Sequence, residues 1–205
     1  MRRLSFVTLF ALILALAAPA MAQDAATWEI DRAHSSAGFA VRHFGVSTVR
    51  GTFTNITGTI LIDDKNLANS SVHVTIDATT VNTQNGQRDT HLKSQDFFDV
   101  ANHPTMTFKS KKVEAAGTGR LKVTGDLTIR GVTKEVVLDV EGPTPPFNTG
   151  RMGVKRGASA TTRLNRRDFG VSWGGVTDNV AVVGDEISIA IELELNQPRP
   201  AASGQ

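Results

Sequence analysis

Residues 185–195 read DEISIAIELEL, with Ile187, Ile189, Ile191, Leu193 and Leu195 on one parity and Ser188, Glu192 and Glu194 on the other. Side chains of an extended chain alternate between two faces, so this segment is a strand with one apolar and one hydrated side. The same period recurs where Val72, Val74 and Ile76 alternate with His73, Thr75 and Asp77. It recurs again where Leu121, Val123, Leu127 and Ile129 alternate with Lys122, Thr124, Asp126 and Thr128. Further strands are expected at Phe39 to His43, Gly51 to Ile62, Thr105 to Lys112, Glu135 to Val140 and Gly153 to Thr162. About eight short strands, separated by turn residues such as Asp63-Asp64, Gly117, Arg130-Gly131 and Gly184-Asp185, define an all-β, antiparallel chain. Alternation alone leaves a two-sheet sandwich and a closed barrel equally open, since both bury one face of every strand.

The longest interruption is Asn82 to His103, where Ser94 is expected to cap a short helical turn with Asp96 in its first turn, before Pro104 ends it. It contains RDTHLKSQDFFDV (88–100), which gathers Arg88, Asp89 and His91 ahead of the adjacent Phe97 and Phe98. Gly142-Pro143-Thr144-Pro145-Pro146 reads as a stiff loop between strands, not a domain linker.

The chain opens on MRRLSFVTLFALILALAAPAMA: two arginines, an apolar run from Leu4 to Ala18, then Ala20-Met21-Ala22. That order is a secretory signal peptide. The expected organisation is a signal peptide over 1–22, one domain over 23–196 and a disordered, proline-containing tail over 197–205. Removing 1–22 leaves 183 of the 205 residues and takes away two of the 22 basic residues and none of the 20 acidic ones. The mature chain then carries no net charge, and nucleic acid is not an expected partner. With no cysteine, disulfides, thiol catalysis and thiolate metal sites are excluded.

The five histidines show no HxH or HxxxH spacing, and His34 and His43 differ by an odd number of positions, which points them to opposite faces of a regular strand. No metal or cofactor is expected. No G-x-S-x-G elbow is present and no acid/base pair stands out, so no catalytic residue is assigned. RMGVKRGASATTRLNRR (151–167) carries six basic residues and no acidic one before Asp168. It is either a solvated strand and loop with Arg166 or Arg167 paired to Asp168, or a phosphate-binding surface.

Five segments together resemble the YceI-like family of periplasmic polyisoprenoid-binding proteins: WEIDRAHSSAGFAVRHFG (28–45), VRGTF (49–53), NTQNGQRDTHLKSQDFFDVANHPTMTF (82–108), GDLTIRGVTKEV (125–136) and LNRRDFG (164–170). The resemblance implies a lipocalin-like, eight-stranded antiparallel β-barrel holding one extended isoprenoid chain in the periplasm, often as a homodimer. Transient membrane contact is a further expectation. An eight-stranded barrel is wide enough to be filled by its own side chains or to enclose one slim ligand.

The insert is then expected to fold over one mouth with Phe97 and Phe98 pointing inward. The expected lining is Phe39, Val41, Phe53, Phe97, Phe98, Met106, Phe108, Leu121, Val123, Leu127, Ile129, Phe169, Trp173, Ile187 and Ile189. His43, Arg88, His91, Arg166 and Arg167 are the expected head-group residues. Arg88 and Asp89 have an equal alternative role, pinning the insert to the barrel. Two other readings compete with a lipid binder: an enzyme using a His/carboxylate pair inside the mouth, and a filled barrel that assists partners.

Overall fold

A computed structural model of the protein describes residues 25–198. The signal peptide expected over 1–22, and the tail beyond Pro198, lie outside the described residues. The strands are β1 (Ala25–Ile30), β2 (Ser36–His43), β3 (Ser47–Phe53), β4 (Ile56–Asp63), β5 (Ser71–Asp77), β6 (Thr105–Ala115), β7 (Arg120–Ile129), β8 (Val132–Glu141), a two-residue β9 (Phe147–Asn148), β10 (Val154–Asn165), a small hairpin of β11 (Val176–Thr177) and β12 (Val180–Ala181), and β13 (Val183–Asn196). One α-helix, α1 (Gly86–Lys93), lies between β5 and β6.

Each strand of the main sheet pairs antiparallel with its neighbours, and the sheet closes when β13 pairs with β10 on one edge and with β1 and β2 on the other. β1 and β2 lie end to end along β13, with Ile30 opposite Leu195 and Ala37 opposite Ile191. β3 and β4 lie end to end beside them, with Phe53 opposite Ala37 and Ile60 opposite Trp28. The result is a closed eight-stranded barrel, and the sandwich alternative falls. The strand expected over Gly51 to Ile62 is interrupted at Thr54-Asn55. Period-two reading misses β1, because only Trp28 and Ile30 mark its inner face.

The break between β1 and β2 is stitched to β13. Asp31 N–H donates to the Glu194 carbonyl at 2.8 Å, and the Ser35 hydroxyl accepts from Glu194 N–H at 3.0 Å. Lys155 of β10 reaches across the seam, its ammonium 3.0 Å from Asp31, 2.5 Å from Glu194 and 2.8 Å from the Asn196 side-chain oxygen. The Lys155 ammonium holds the Asp31 carboxyl well below the usual carboxylate range, and Glu194 and Asp31 together raise Lys155.

The insert begins where β5 ends. Asn82 and Thr52 exchange two backbone hydrogen bonds of 2.9 Å, so the insert takes the place beside β3 that β5 has vacated. Its helix differs from the sequence reading. α1 is N-capped by Asn85, whose side chain accepts from Arg88 N–H at 3.0 Å, and Ser94 is its C-cap. Ser94 then opens the turn that presents the phenylalanines, its carbonyl accepting from Phe97 N–H at 3.1 Å. Because α1 buries no residue, it has no apolar stripe to announce it.

Two buried clusters form the packed side of the barrel, one around Trp28, Phe53, Ile56 and Ile60, the other around Phe108, Val113, Leu121 and Val123. The end of the barrel near β1 and the C-terminus of β13 contains buried Arg156. Its guanidinium pairs with Asp64 at 2.8 and 3.1 Å, donates to the Thr144 carbonyl at 2.7 Å, and lies 5.2 Å from the centre of the Trp28 ring.

Candidate functional site

The inward positions of β8, β10 and β13 are only partly buried, although they face the interior: Val136, Leu138, Val140, Ala158, Ala160, Ile187, Ile189, Ile191 and Leu193. They are incompletely covered because they face a void. A cavity of about 260 Å³, apolar in all the surface it offers, runs inside the barrel. Along β13 its wall extends from Val183 to Leu195. The eight steps from Ile187 to Leu195 alone cover roughly 26 Å of strand, or about 20 Å along the axis at the usual barrel tilt. The void is therefore long and narrow. The filled-barrel reading is corrected on this point.

Small side chains make the room. β10 contributes Ala158, Ala160 and Thr162 at successive inward positions, opposite Leu193, Ile191 and Ile189 of β13. Two aromatic rings are held against the wall by glycines on adjacent strands. A Cβ on Gly51 would fall 2.4 Å from the Phe39 ring, and one on Gly125 would fall 2.6 Å from the Phe108 ring. With no side chain at these two glycines, each ring lies along the sheet, out of the bore.

The structure places fifteen of the expected ligand-site residues on this wall: Phe39, Val41, Phe53, Phe97, Phe98, Met106, Phe108, Leu121, Val123, Leu127, Ile129, Arg166, Phe169, Ile187 and Ile189. Phe98 packs edge-on against Phe53 with ring centres 5.4 Å apart. Trp173 is a correction: it does not line the cavity but stacks outside it, 5.2 Å from Phe97 and 4.8 Å from His91. Alternation read strand by strand also finds Ile191 and Leu193, whereas Ala158, Ala160 and Val171 carry no signal that separates wall from core.

The expected head-group residues are engaged elsewhere. Arg166 is buried, and its Nε donates to Gly184, its Nη1 to Val171 and Trp173 and its Nη2 to Val183, all backbone carbonyls at 2.7 to 3.2 Å. Asp185 adds an ion pair, 3.0 Å from Nη2. Burial pushes the Arg166 guanidinium below its ordinary value, although Asp185 opposes this. Arg167 also pairs with Asp185, at 2.7 Å, and not with Asp168 as its sequence position suggests.

Arg88 and Asp89 both clasp Thr83. Arg88 donates to the Thr83 hydroxyl and carbonyl at 2.8 and 2.9 Å, and Asp89 accepts from Thr83 N–H at 2.8 Å and from its hydroxyl at 2.5 Å. They brace the start of the insert, next to the Asn82–Thr52 pair that ties it to β3; neither lines the cavity. His43 packs edge-on against Phe44 at 4.5 Å. His91 lies 2.7 Å from Asp96, but the pair is exposed and outside the cavity, so the mark of an enzyme inside the mouth is not met by it.

Asp31, His34 and Glu194 gather close enough to hold a cation. The Lys155 ammonium already occupies that role, within 3.0 Å of both carboxylates.

A closed antiparallel barrel with an apolar bore and a pinned insert over one mouth defines a class, the lipocalin-like ligand-binding barrels. Within it the assignment is specific: residues 28–195 match the YceI-like domain, and the chain belongs to the YceI-like family. A UPF0312 protein of Vibrio parahaemolyticus is 36% identical over 200 residues, covering 95% of this chain and 97% of that one. The crystal structure of a Campylobacter jejuni YceI protein is 35% identical with a TM-score of 0.65, covering 77% of this chain and 90% of that one. A polyisoprenoid binding domain from Saccharophagus degradans shares the fold, with a TM-score of 0.60 at 14% identity, covering 83% of this chain and 98% of that one.

Proposed function

We propose that the protein holds the tail of a polyisoprenoid lipid, of quinone or polyprenyl phosphate type, inside the barrel. It carries or sequesters that lipid in the periplasm, after loss of residues 1–22, and does no chemistry on it. The observation that carries the reading is the shape and chemistry of the bore: about 260 Å³ of apolar space drawn out along most of the barrel's length. A compact polar metabolite fits neither property, because it leaves its hydrogen-bonding groups unpaired in an apolar wall. A slim hydrocarbon suits both. Burying about a dozen methylene equivalents at about 0.8 kcal/mol each supplies roughly 10 kcal/mol, enough to offset the entropy lost on association. The Saccharophagus domain with this barrel, a polyisoprenoid binding domain, supports the same class of ligand.

The polar head belongs outside the bore in this reading, since Arg166 is the one ionisable residue on the described wall and its guanidinium is engaged by four backbone carbonyls. Native mass spectrometry of protein purified from the periplasm, followed by lipid extraction, tests the proposal. An isoprenoid mass released on denaturation is the expected result. Ligand-free protein from lipid-replete cells, or a bound hydrophilic metabolite, refutes it.

A further inference from the structure

Two hairpins project at the mouth that the insert covers. β2 and β3 turn through Phe44 and Gly45, with φ of 48° and 63°. β11 and β12 turn through Asp178 and Asn179, also with φ of 48° and 63°. The hairpins lie side by side: Phe44 N–H donates to the Val182 carbonyl at 3.1 Å, and a Cβ on Gly45 would sit 3.7 Å from Val180. Their tips expose Val46 at 82%, Val176 at 70%, Val180 at 41% and Phe44 at 40%.

Two-residue turns with positive φ favour Asn, Asp and Gly, a rule that Asp178-Asn179 obeys. Phe44 breaks it. A bulky residue in the left-handed region is strained, and Phe44 stays 40% exposed at a turn where asparagine would serve folding better. The segment leading into β11 brings Trp173, 37% exposed, onto Phe97 of the cavity wall. Apolar surface thus runs from the tips to the bore.

We propose that these tips dock on a lipid bilayer, inserting Phe44, Val46, Val176 and Val180 among the head groups and setting the mouth against the membrane. The inference rests on the apolar-cargo reading above: a chain insoluble in water has its donor and acceptor in a bilayer. The tips are convex points, suited to a deformable surface more than to a rigid protein partner. Of the charges nearby, Arg167 pairs with Asp185 and His91 with Asp96, while Asp178 stands exposed at the β11–β12 turn, so the attraction is apolar and gains nothing from anionic lipid. Trp and Phe side chains favour the boundary between water and hydrocarbon.

Sedimentation with phosphatidylcholine vesicles tests this. Purified protein binds them with little dependence on salt, and a V46D/V176D variant partitions about tenfold less, the loss expected from one buried valine side chain. Both residues are exposed, so its unfolding midpoint matches the wild type; V46S/V176S replaces it if not. Ala160→Phe, which blocks the bore and leaves the tips intact, separates the two readings. If it loses cargo while the tip variant keeps wild-type vesicle binding, the docking proposal is overturned and the cargo reading survives. If vesicles bind through the tips but no apolar cargo is found, the cargo reading fails and docking stands. Wild-type protein that ignores vesicles, with a dimer that dissociates in the tip variant, assigns the tips to a second copy and overturns the proposal.

Discussion

Ala160→Phe is the most direct perturbation of the bore. Ala160 lies opposite Val140 of β8 and Ile191 of β13, and all three line the cavity. The substitution sets a ring across a narrow tube and displaces roughly six methylene equivalents of ligand, worth about 5 kcal/mol. That weakens binding by about three to four orders of magnitude in Kd. In the lipid-free protein the effect nearly cancels. The new ring gains about 1.5–3 kcal/mol by burial and costs about 1–3 kcal/mol where it crowds its neighbours. The melting temperature therefore moves by no more than about 8 °C in either direction.

The control is Thr161→Phe, one residue along the same strand, where the side chain is exposed and sits opposite Asp139 and Ala190. Lipid extraction and thermal unfolding by circular dichroism are measured on both. Full lipid content in a folded Ala160→Phe protein refutes a ligand in the bore. Equal loss in Thr161→Phe shows that the ring acts by something other than blockage.

Arg166→Leu strips donors from four backbone carbonyls and leaves Asp185 with Arg167 alone. It should cost about 3–5 kcal/mol, read as a lower urea midpoint at unchanged slope; a loss below about 1 kcal/mol contradicts a clamp. Asp89→Ala frees the Thr83 N–H and hydroxyl, so amide exchange should quicken across 82–103 while β10 and β13 stay protected, and uniform quickening would argue against a separately pinned insert. Asp31→Asn tests the seam. Because the folded state lowers the Asp31 pKa, its stabilisation is complete above the unfolded value of about 3.9 and fades as pH falls through the folded one. The stability gap between wild type and variant, measured by denaturant melts, should be widest near neutral pH and narrow below about pH 4; a constant gap rules this out.

Parity along a strand is a local property, which is why Ile187 and Ile189, or Leu121 and Val123, could be oriented from sequence before any strand was paired. β1 escaped because two inward residues are too few to make a period, and α1 because Asn85 caps a helix with no apolar stripe behind it. The roles of Arg88 and Arg166 were illegible for a different reason. Their partners are mostly backbone carbonyls and a threonine hydroxyl, groups that have no distinctive mark in a sequence.

Hollowness is harder still, because it depends on what stands across the bore. Ala158, Ala160 and Thr162 look like ordinary inward positions beside larger neighbours, and a filled core uses such alternation of small and large to interdigitate. Register decides otherwise. It aligns the three small residues on one wall, while Gly51 and Gly125 let the Phe39 and Phe108 rings fall back against the sheet. Space that a phenyl group could have filled from either side is thus left open along the axis. An apolar void of this length is unfavourable in an isolated protein, since its lining atoms forgo contacts that a filled core supplies. Small residues and glycines set together on its walls are therefore what a site shaped for a partner requires, and what a barrel selected for stability alone would not keep.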